Sequence, residues 1–186
     1  GWTDSALSEV GRAQAEAVAR ALSTPALAAI YSSPLVRARD TAEAIARPHK
    51  LTVQVAAAFK EMGFGQWEGL RLAEARDRDQ ALYQSWLDTP HLVTPPGGET
   101  LGDVKARVLA GLETLRAEHD GGSICLVTHA IVARVLILEA LGLPLSRTWS
   151  IHVSPTGISE LEFRPDWTAL HRMNTLVHLD AAPAGR

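Results

Sequence analysis

The pattern of apolar and polar residues changes period along the chain. Apolar residues recur every three or four positions in long stretches, which predicts helices, and short, nearly continuous apolar runs lie between them, which predicts strands. The predicted helices cover residues 8 to 22, 34 to 48, 70 to 88, 100 to 119 and 130 to 142. The predicted strands cover residues 27 to 31, 51 to 55 and 123 to 128, and a hairpin within 149 to 174 turns at Pro165-Asp166.

Residues that favour helix starts precede three of the predicted helices. Ser8 is a suitable N-cap for the first helix, and Ser33 followed by Pro34 has the same character for the second. Thr100 and Asp103 have the spacing of a capping pair at the start of the fourth. These local signals support the helix boundaries.

Two segments are too rich in glycine and proline to form regular elements. Residues 60 to 69 are predicted to form a shaped loop, and residues 89 to 99 a second loop that is a candidate lid over a site.

Short strands that alternate with helices predict a three-layer α/β sandwich. Its sheet is expected to be mixed and mostly parallel, with helices on both faces and with ligands at the carboxyl ends of the strands. The apolar run at 123 to 128 predicts a strand buried on both faces, and the terminal hairpin is expected to close the sheet.

Composition indicates one globular domain covering residues 1–186. The chain is 46% hydrophobic and 21% charged, and its net charge of -3 argues against nucleic-acid partners and against binding to anionic membranes. No stretch is apolar enough for a membrane span or a signal peptide. Cys125 is the single cysteine, which excludes an intrachain disulfide and fits a reduced, cytoplasmic location.

The first candidate chemical group is Thr128-His129, at the junction of the buried strand and the next helix. Backbone N–H groups and the helix dipole favour an anion at such a junction, and a histidine there can donate to a phosphate oxygen. The alternative is a core histidine bonded to a backbone carbonyl.

The second candidate follows the predicted strand end at residues 31 to 33. Arg37, one turn into the next helix, can fold back over the strand end and bind a phosphate with two parallel hydrogen bonds. The alternative is that Arg37 is a solvated arginine on the surface of the helix. Arg39 fits that alternative still better than Arg37.

The third candidate is Glu61 in the glycine-rich loop, near Phe64 and Trp67. A carboxyl group beside apolar side chains has a raised pKa and can protonate a leaving alcohol. Glu68 is a rival for that role, and a salt bridge in the loop is the alternative for Glu61.

Other chemistries find no support in the sequence. The seven histidines lack zinc-ligand spacing, so no metal site is predicted. There is also no dinucleotide-binding glycine motif, no P-loop and no Gly-x-Ser-x-Gly elbow.

Five motifs occur in the order found in the histidine phosphatase superfamily. They are GWTDSALSEVGRAQA at 1–15, SSPLVRARDTA at 32–42, EMGFGQWEG at 61–69, PGGET at 96–100 and VTH at 127–129. The chain resembles the small cytosolic branch of this superfamily, which includes phosphoglycerate mutases and enzymes similar to alpha-ribazole phosphatase.

This resemblance implies a set of roles for residues in the motifs. Arg37 and His129 would hold the phosphate oxygens without a metal or other cofactor, while Glu61 would act as general acid and then as general base. Residues that would line the phosphate or substrate pocket are Gly1, Arg39, Ala130 and Ile131. The implied reaction transfers a phosphoryl group to a histidine nitrogen and then to water.

One part of the family pattern is missing. The family carries its nucleophile in an Arg-His-Gly motif at the end of a first strand, and no Arg-His-Gly occurs in this sequence. We therefore expect the sheet to lack this central strand and the sequence to be incomplete at its N-terminus. The competing hypothesis is a non-catalytic phosphate-binding module without a nucleophile.

The resemblance favours a phosphatase acting on a small phosphorylated metabolite. The segment between Trp67 and Pro95 is short, which leaves little room for the insertion of the family's mutases, although a phosphoglycerate mutase stays an alternative. The resemblance leaves the formation of a homodimer open.

Overall fold

The computed structural model describes residues 1–180 and contains seven α-helices among them. The helices are α1 (Glu9–Ala21), α2 (Val36–His49), α3 (Leu72–Arg78), α4 (Gln80–Asp88), α5 (Leu101–Glu118), α6 (Ala130–Ala140) and α7 (Val177–Asp180). Short 3-10 turns lie between several of them, including one at Gly65–Trp67.

Three parallel strands form the main sheet. They are β1 (Ala29–Ser32), β2 (Val53–Val55) and β3 (Ile124–Val127), in the order β2-β1-β3. The register pairs Ser32 of β1 with Val127 of β3. The carboxyl ends of these two strands therefore lie side by side.

Side chains that alternate along β1 belong to two different cores. Ile30 packs with the alanine-rich faces of α1 and α2, whereas Ala29 and Tyr31 pack with the core beneath α5 and α6. Cys125 and Val127 of β3 join the first core, while Ile124 and Leu126 join the second. The predicted α/β fold, with a parallel sheet between two helical layers, is confirmed.

The start of α2 differs from its prediction. The helix begins at Val36, and the Ser33 hydroxyl accepts a bond from Leu35 N–H at 3.3 Å instead of capping the helix end. The Val36 N–H donates to Asp4 Oδ1 at 2.8 Å. A residue far away in the sequence thus satisfies a free N–H at this end of α2.

The single helix predicted over residues 70 to 88 is two helices. Asp79 interrupts it with an extended backbone, φ −152° and ψ 88°, and its carboxylate accepts a bond from Leu82 N–H at 3.0 Å. An aspartate favours such a cap over a position inside a helix, which accounts for the break.

The terminal hairpin forms, but it does not join the main sheet. Its strands β4 (Ile158–Phe163) and β5 (Thr168–Thr175) make a separate antiparallel pair with register shifts near Glu160. The expectation that the hairpin closes the sheet is therefore wrong for residues 1–180. Because β3 pairs only with β1 in this part of the chain, its residues are partly exposed and not buried on both faces as expected.

No helix among residues 1–180 combines the length and the apolar character needed to cross a membrane.

Candidate active site

The candidate site lies at the carboxyl ends of β1 and β3. Ser33 follows β1 and His129 follows β3, and the strand register brings the two side chains together. The Ser33 hydroxyl and His129 Nε2 are 2.6 Å apart, within hydrogen-bonding distance. The partner of His129 is thus a side-chain hydroxyl, not the backbone carbonyl of the alternative interpretation.

His129 occupies the N-cap position of α6 and is held in its neutral form. Burial lowers the pKa of its imidazole to about 3, and the nearby charge of Arg37 contributes to this shift. A neutral imidazole has one donor and one acceptor nitrogen. His129 can therefore donate a single hydrogen bond to an anion at this strand end.

Arg37 reaches back from the first turn of α2 to the N-terminal segment. Its Nη1 donates to the carbonyl of Thr3 at 3.0 Å, and its Nη2 donates to the carbonyl of Gly1 at 2.8 Å. With Asp4 bound to the start of α2, these bonds hold residues 1–4 over the strand end. A guanidinium group has five donors, so Arg37 keeps donors for an anion.

Glu61 is buried at the start of α6, with a 7% exposed fraction. Its Oε1 accepts a bond from Met62 N–H at 2.9 Å, and its Oε2 lies 3.5 Å from Ile131 N–H. Burial raises the pKa of the Glu61 carboxyl, and these backbone bonds and the charge of Arg37 only partly oppose that effect. Glu61 is thus suited to carry a proton.

Glu68, the rival carboxyl group, has a different environment. It accepts bonds from Trp2 N–H at 2.7 Å, from Thr3 N–H at 2.9 Å and from Phe64 N–H at 2.9 Å. Burial alone would raise its pKa, but these bonds lower the pKa of Glu68 to about 2. Glu68 is an ionised residue that orders the N-terminal segment, so the two carboxyls have opposite character.

Arg107 of α5 positions the loop that contains Glu61. It forms a two-bond ion pair with Glu99, with distances of 2.8 and 3.0 Å, and it donates to the carbonyls of Ala58, Lys60 and Glu61 at 2.7 to 3.0 Å. Sequence reasoning missed this residue. The signal available was a charged residue on a helix that follows the PGGET motif, which is a common surface feature.

Two glycines allow the loops around Glu61 and Glu99 to touch through their backbones. Gly65 has φ +53°, and a Cβ there would lie 2.2 Å from the Pro96 carbonyl oxygen. A Cβ at Gly98 would lie 2.5 Å from the Gly63 carbonyl oxygen. With the bond from Glu99 N–H to the Gly63 carbonyl at 2.8 Å, this contact ties residues 96 to 99 to the Glu61 loop. The role of residues 89 to 99 as a lid stays a candidate.

The other predicted site residues separate into two groups. Gly1 is bonded to Arg37, and Ala130 and Ile131 form the first turn of α6 beside Glu61. Arg39 lies exposed on α2 and has no ion pair among the described residues. The structure joins the first group by these contacts, whereas within residues 1–180 no hydrogen bond or ion pair joins Arg39 to it, and its place in the pocket stays a prediction.

Aromatic side chains extend from the Glu61 loop to one side of the site. The ring centroids of Phe64 and Trp86 are 5.8 Å apart, and those of Trp86 and Trp149 are 5.4 Å apart. The guanidinium carbon of Arg134 lies 5.1 Å from the centre of the Trp149 ring. Sequence reasoning singled out Phe64 but missed Trp149 and Arg134.

No group of three or more His, Cys, Asp or Glu side chains is arranged to hold a metal ion among residues 1–180.

Comparison with known proteins supports a relation to phosphatases. The chain is 32% identical over 179 residues to phosphoserine phosphatase 1 of Hydrogenobacter thermophilus, covering 96% of this chain and 85% of that protein. It spans about half the length, 46%, of mycobacterial proteins to which it is 37% identical over 168 residues, including a bifunctional protein of Mycobacterium tuberculosis.

Solved structures agree with this relation. YhfR of Bacillus stearothermophilus superposes with a TM-score of 0.92 at 29% identity, covering 96% of this chain and 89% of that one. A mycobacterial glucosyl-3-phosphoglycerate phosphatase superposes with a TM-score of 0.87 at 27% identity, covering 95% of this chain and 90% of that one. The family sequence model of the histidine phosphatase superfamily (branch 1) matches residues 1–176 of the chain. Sequence, fold and site geometry thus agree, and the chain belongs to the histidine phosphatase superfamily.

Proposed function

We propose that the protein hydrolyses a phosphate monoester of a small metabolite through a phosphohistidine intermediate, without a metal. The observation that carries the proposal is the convergence of Arg37, His129 and the buried Glu61 at adjacent strand ends. The charge of Arg37 affects the pKa of both His129 and Glu61, so the three groups act in one electrostatic field.

Arg37 and His129 bind the phosphoryl group in this proposal. The planar guanidinium donates to two phosphate oxygens, and the imidazole of His129 donates to a third. These donors stabilise the charge on the equatorial oxygens while the phosphoryl group moves between its two partners.

Glu61 moves the proton in both steps. In the first step a histidine nitrogen attacks phosphorus, the P–O bond to the alcohol breaks, and the Glu61 carboxyl gives its proton to the leaving oxygen. In the second step the Glu61 carboxylate takes a proton from water. That water attacks phosphorus, the P–N bond breaks, and inorganic phosphate and free histidine result.

We further propose that the nucleophilic histidine lies on a strand outside residues 1–186. Within the described residues, the edge of β3 that faces away from β1 is unpaired, and β4 and β5 form a separate sheet. A parallel strand that pairs with this edge would end beside Thr128 and His129, which follow β3. The family's Arg-His-Gly motif belongs at the end of such a strand.

Small phosphorylated alcohols are the proposed substrates, with phosphoserine as the first to test. The relative from Hydrogenobacter thermophilus is named for this substrate. Phosphoglycerate isomerisation is measured on the same sample, because a bisphosphoglycerate-dependent isomerase activity would replace the phosphatase proposal with the mutase alternative.

The test uses the full-length protein, a chelator and isotopically labelled phosphoserine in a rapid-quench experiment. We expect release of inorganic phosphate and a covalent label that is stable to base and labile to acid, located on a histidine that precedes Gly1. Phosphate release without such a label would overturn the phosphohistidine route. Phosphate binding without any turnover would favour the non-catalytic module.

A further inference from the structure

Arg134 is a partly buried cation without a carboxylate partner among residues 1–180. It projects from the second turn of α6, and burial lowers the pKa of its guanidinium. Its Nε donates to the Ile151 carbonyl at 2.9 Å, while no hydrogen bond of Nη1 or Nη2 is found in this part of the chain. Desolvating a cation in this way is costly unless it binds an anion.

The contacts of Arg134 orient its guanidinium group. The bond to the Ile151 carbonyl fixes one edge, and the guanidinium carbon lies over the ring of Trp149, which is 39% exposed, at 5.1 Å from the ring centre. Trp149 is itself held, because its Nε1 donates to the Trp86 carbonyl at 3.2 Å. The two Nη groups are therefore pre-organised as a fork for a planar anion.

Arg134 lies one turn after Ile131 on α6, and the Ile131 N–H is 3.5 Å from Glu61 Oε2. The Glu61 carboxylate opposes the effect of burial on the pKa of Arg134, so the two groups are close enough to interact. Glu61 is not a permanent ion-pair partner, because burial favours its protonated form. The aromatic side chains of Phe64, Trp86 and Trp149 connect the Glu61 loop to Arg134, so a group bound by Arg134 would lie along this aromatic surface.

We propose that Arg134 is a specificity residue that binds a carboxylate on the leaving alcohol, so that the site prefers phosphorylated amino acids and hydroxy acids to alkyl phosphates without a carboxylate. The inference rests on the proposed phosphatase function and adds the chemical class of its substrate. A carboxylate matches the spacing of the two Nη donors, and bidentate pairing is the strong form of this contact.

The test compares three substrates on the full-length protein. Phosphoserine and phosphoethanolamine differ by one carboxylate. The third substrate, p-nitrophenyl phosphate, has neither a carboxylate nor an amine and reports phosphoryl transfer alone. We expect the wild-type protein to prefer phosphoserine to phosphoethanolamine. Arg134→Met is expected to lower kcat/KM for phosphoserine roughly 10- to 100-fold, mainly through KM, and to change the other two substrates less than about twofold.

Two further variants separate binding from structural support. Arg134→Lys keeps the charge but not the fork, and we expect it to recover only part of the preference for phosphoserine. Arg20→Met removes an exposed charge at the end of α1 and is the matched control. An equal loss on all three substrates in Arg134→Met would make Arg134 a structural support for residue 151 and overturn the inference.

Product inhibition of the wild-type protein gives a readout that needs no variant. We expect the inhibition constant of serine to be at least tenfold lower than that of ethanolamine. If all three phosphates turn over but phosphoserine is not preferred to phosphoethanolamine, and serine does not inhibit better than ethanolamine, the carboxylate site is overturned and the phosphatase function stays intact. Absence of turnover on every substrate overturns the proposed function, and the inference with it.

Discussion

Two glutamates in one glycine-rich loop have opposite protonation preferences, and the cause is local. Glu61 is buried beside the start of α6 with only two backbone donors near its oxygens. Glu68 accepts four bonds, including three from backbone N–H groups. Burial with few donors favours the neutral acid, while several donors favour the carboxylate.

Replacing Glu61 with Gln tests its role as the proton donor. We expect kcat/KM for an alkyl phosphate to fall roughly 100-fold or more, because its leaving alkoxide needs a proton, and kcat/KM for p-nitrophenyl phosphate to change little, because kcat/KM reports the phosphorylation step and not the later attack of water. In the wild type, kcat/KM for the alkyl substrate should fall as pH rises through the raised pKa of Glu61. That dependence should be absent in the variant.

An equal loss of kcat/KM on aryl and alkyl phosphates in Glu61→Gln would contradict the role of general acid. Glu113→Gln is a suitable control, since Glu113 is an exposed residue on α5 and pairs, within the described part of the chain, only with Arg116 on the same helix.

The lowered pKa of Glu68 predicts how the stability of the folded chain depends on pH. Its pKa is lowered to about 2 in the folded chain from its ordinary value of 4.5. Its contribution to the free energy of unfolding is therefore complete above about pH 4.5 and is lost as pH falls toward 2. Urea unfolding at a series of pH values should show a smaller acid-induced loss in Glu68→Gln than in the wild type.

The control for Glu68 is Glu43→Gln, an exposed position on α2. It should keep the wild-type dependence on pH. If Glu68→Gln lost stability in acid as steeply as the wild type, the bonds to Trp2, Thr3 and Phe64 would not hold in solution.

At the scale of elements, one arginine joins a helix to two loops. Arg107 connects α5 to Glu99 in one loop and to three backbone carbonyls in the other. The segment containing Glu61 thus depends on a side chain from a distant helix. Backbone contacts through Gly65 and Gly98 complete this arrangement.

Replacing Arg107 with Met should lower the free energy of unfolding by about 3 kcal/mol, because Glu99 and three carbonyls lose a partly buried partner. We also expect activity to fall, since Glu61 loses its support. Urea unfolding measures the first effect. Arg76→Met, which removes an exposed pair with Asp77, should change stability by less than about 0.5 kcal/mol.

If Arg107→Met and Arg76→Met had equal effects on unfolding, the network around Arg107 would not contribute to stability. A normal free energy of unfolding with low activity would show instead that Arg107 mainly positions Glu61.

At the scale of the whole molecule, the two sheets leave β3 with a free edge among residues 1–180. An unpaired edge of apolar residues is a place where another strand binds. The proposed strand would give β3 a second partner and bring a nucleophile to the cluster of Arg37, Glu61 and His129. Fold completion and catalysis would then depend on the same segment.

Hydrogen exchange of β3 tests this arrangement. In the full-length protein, the amides of β3 that point away from β1 should exchange as slowly as those that point toward it. In a protein consisting of residues 1–186 alone, we expect fast exchange of the first set and no turnover. Equal exchange in the two proteins would argue against a strand at this edge.

Local signals in the sequence predicted much of the fold. Ser8 caps α1, and Thr100 with Asp103 forms the capping box of α5, as predicted. These contacts join residues three positions apart, so the sequence contains both partners within one turn. The motifs also identified Arg37, Glu61 and His129 as one candidate site, through resemblance to a family and not through periodicity.

Contacts between distant residues were decided only by the tertiary structure. The bond from Val36 to Asp4, the attachment of Arg107 to the Glu61 loop and the position of Arg134 beside Trp149 each join separate elements. Arg37 and Arg39 lie on the same helix, yet within residues 1–180 only Arg37 is bonded to the N-terminal segment. Periodicity indicates which face of an element is buried, whereas the partner of a polar side chain depends on which elements meet in space.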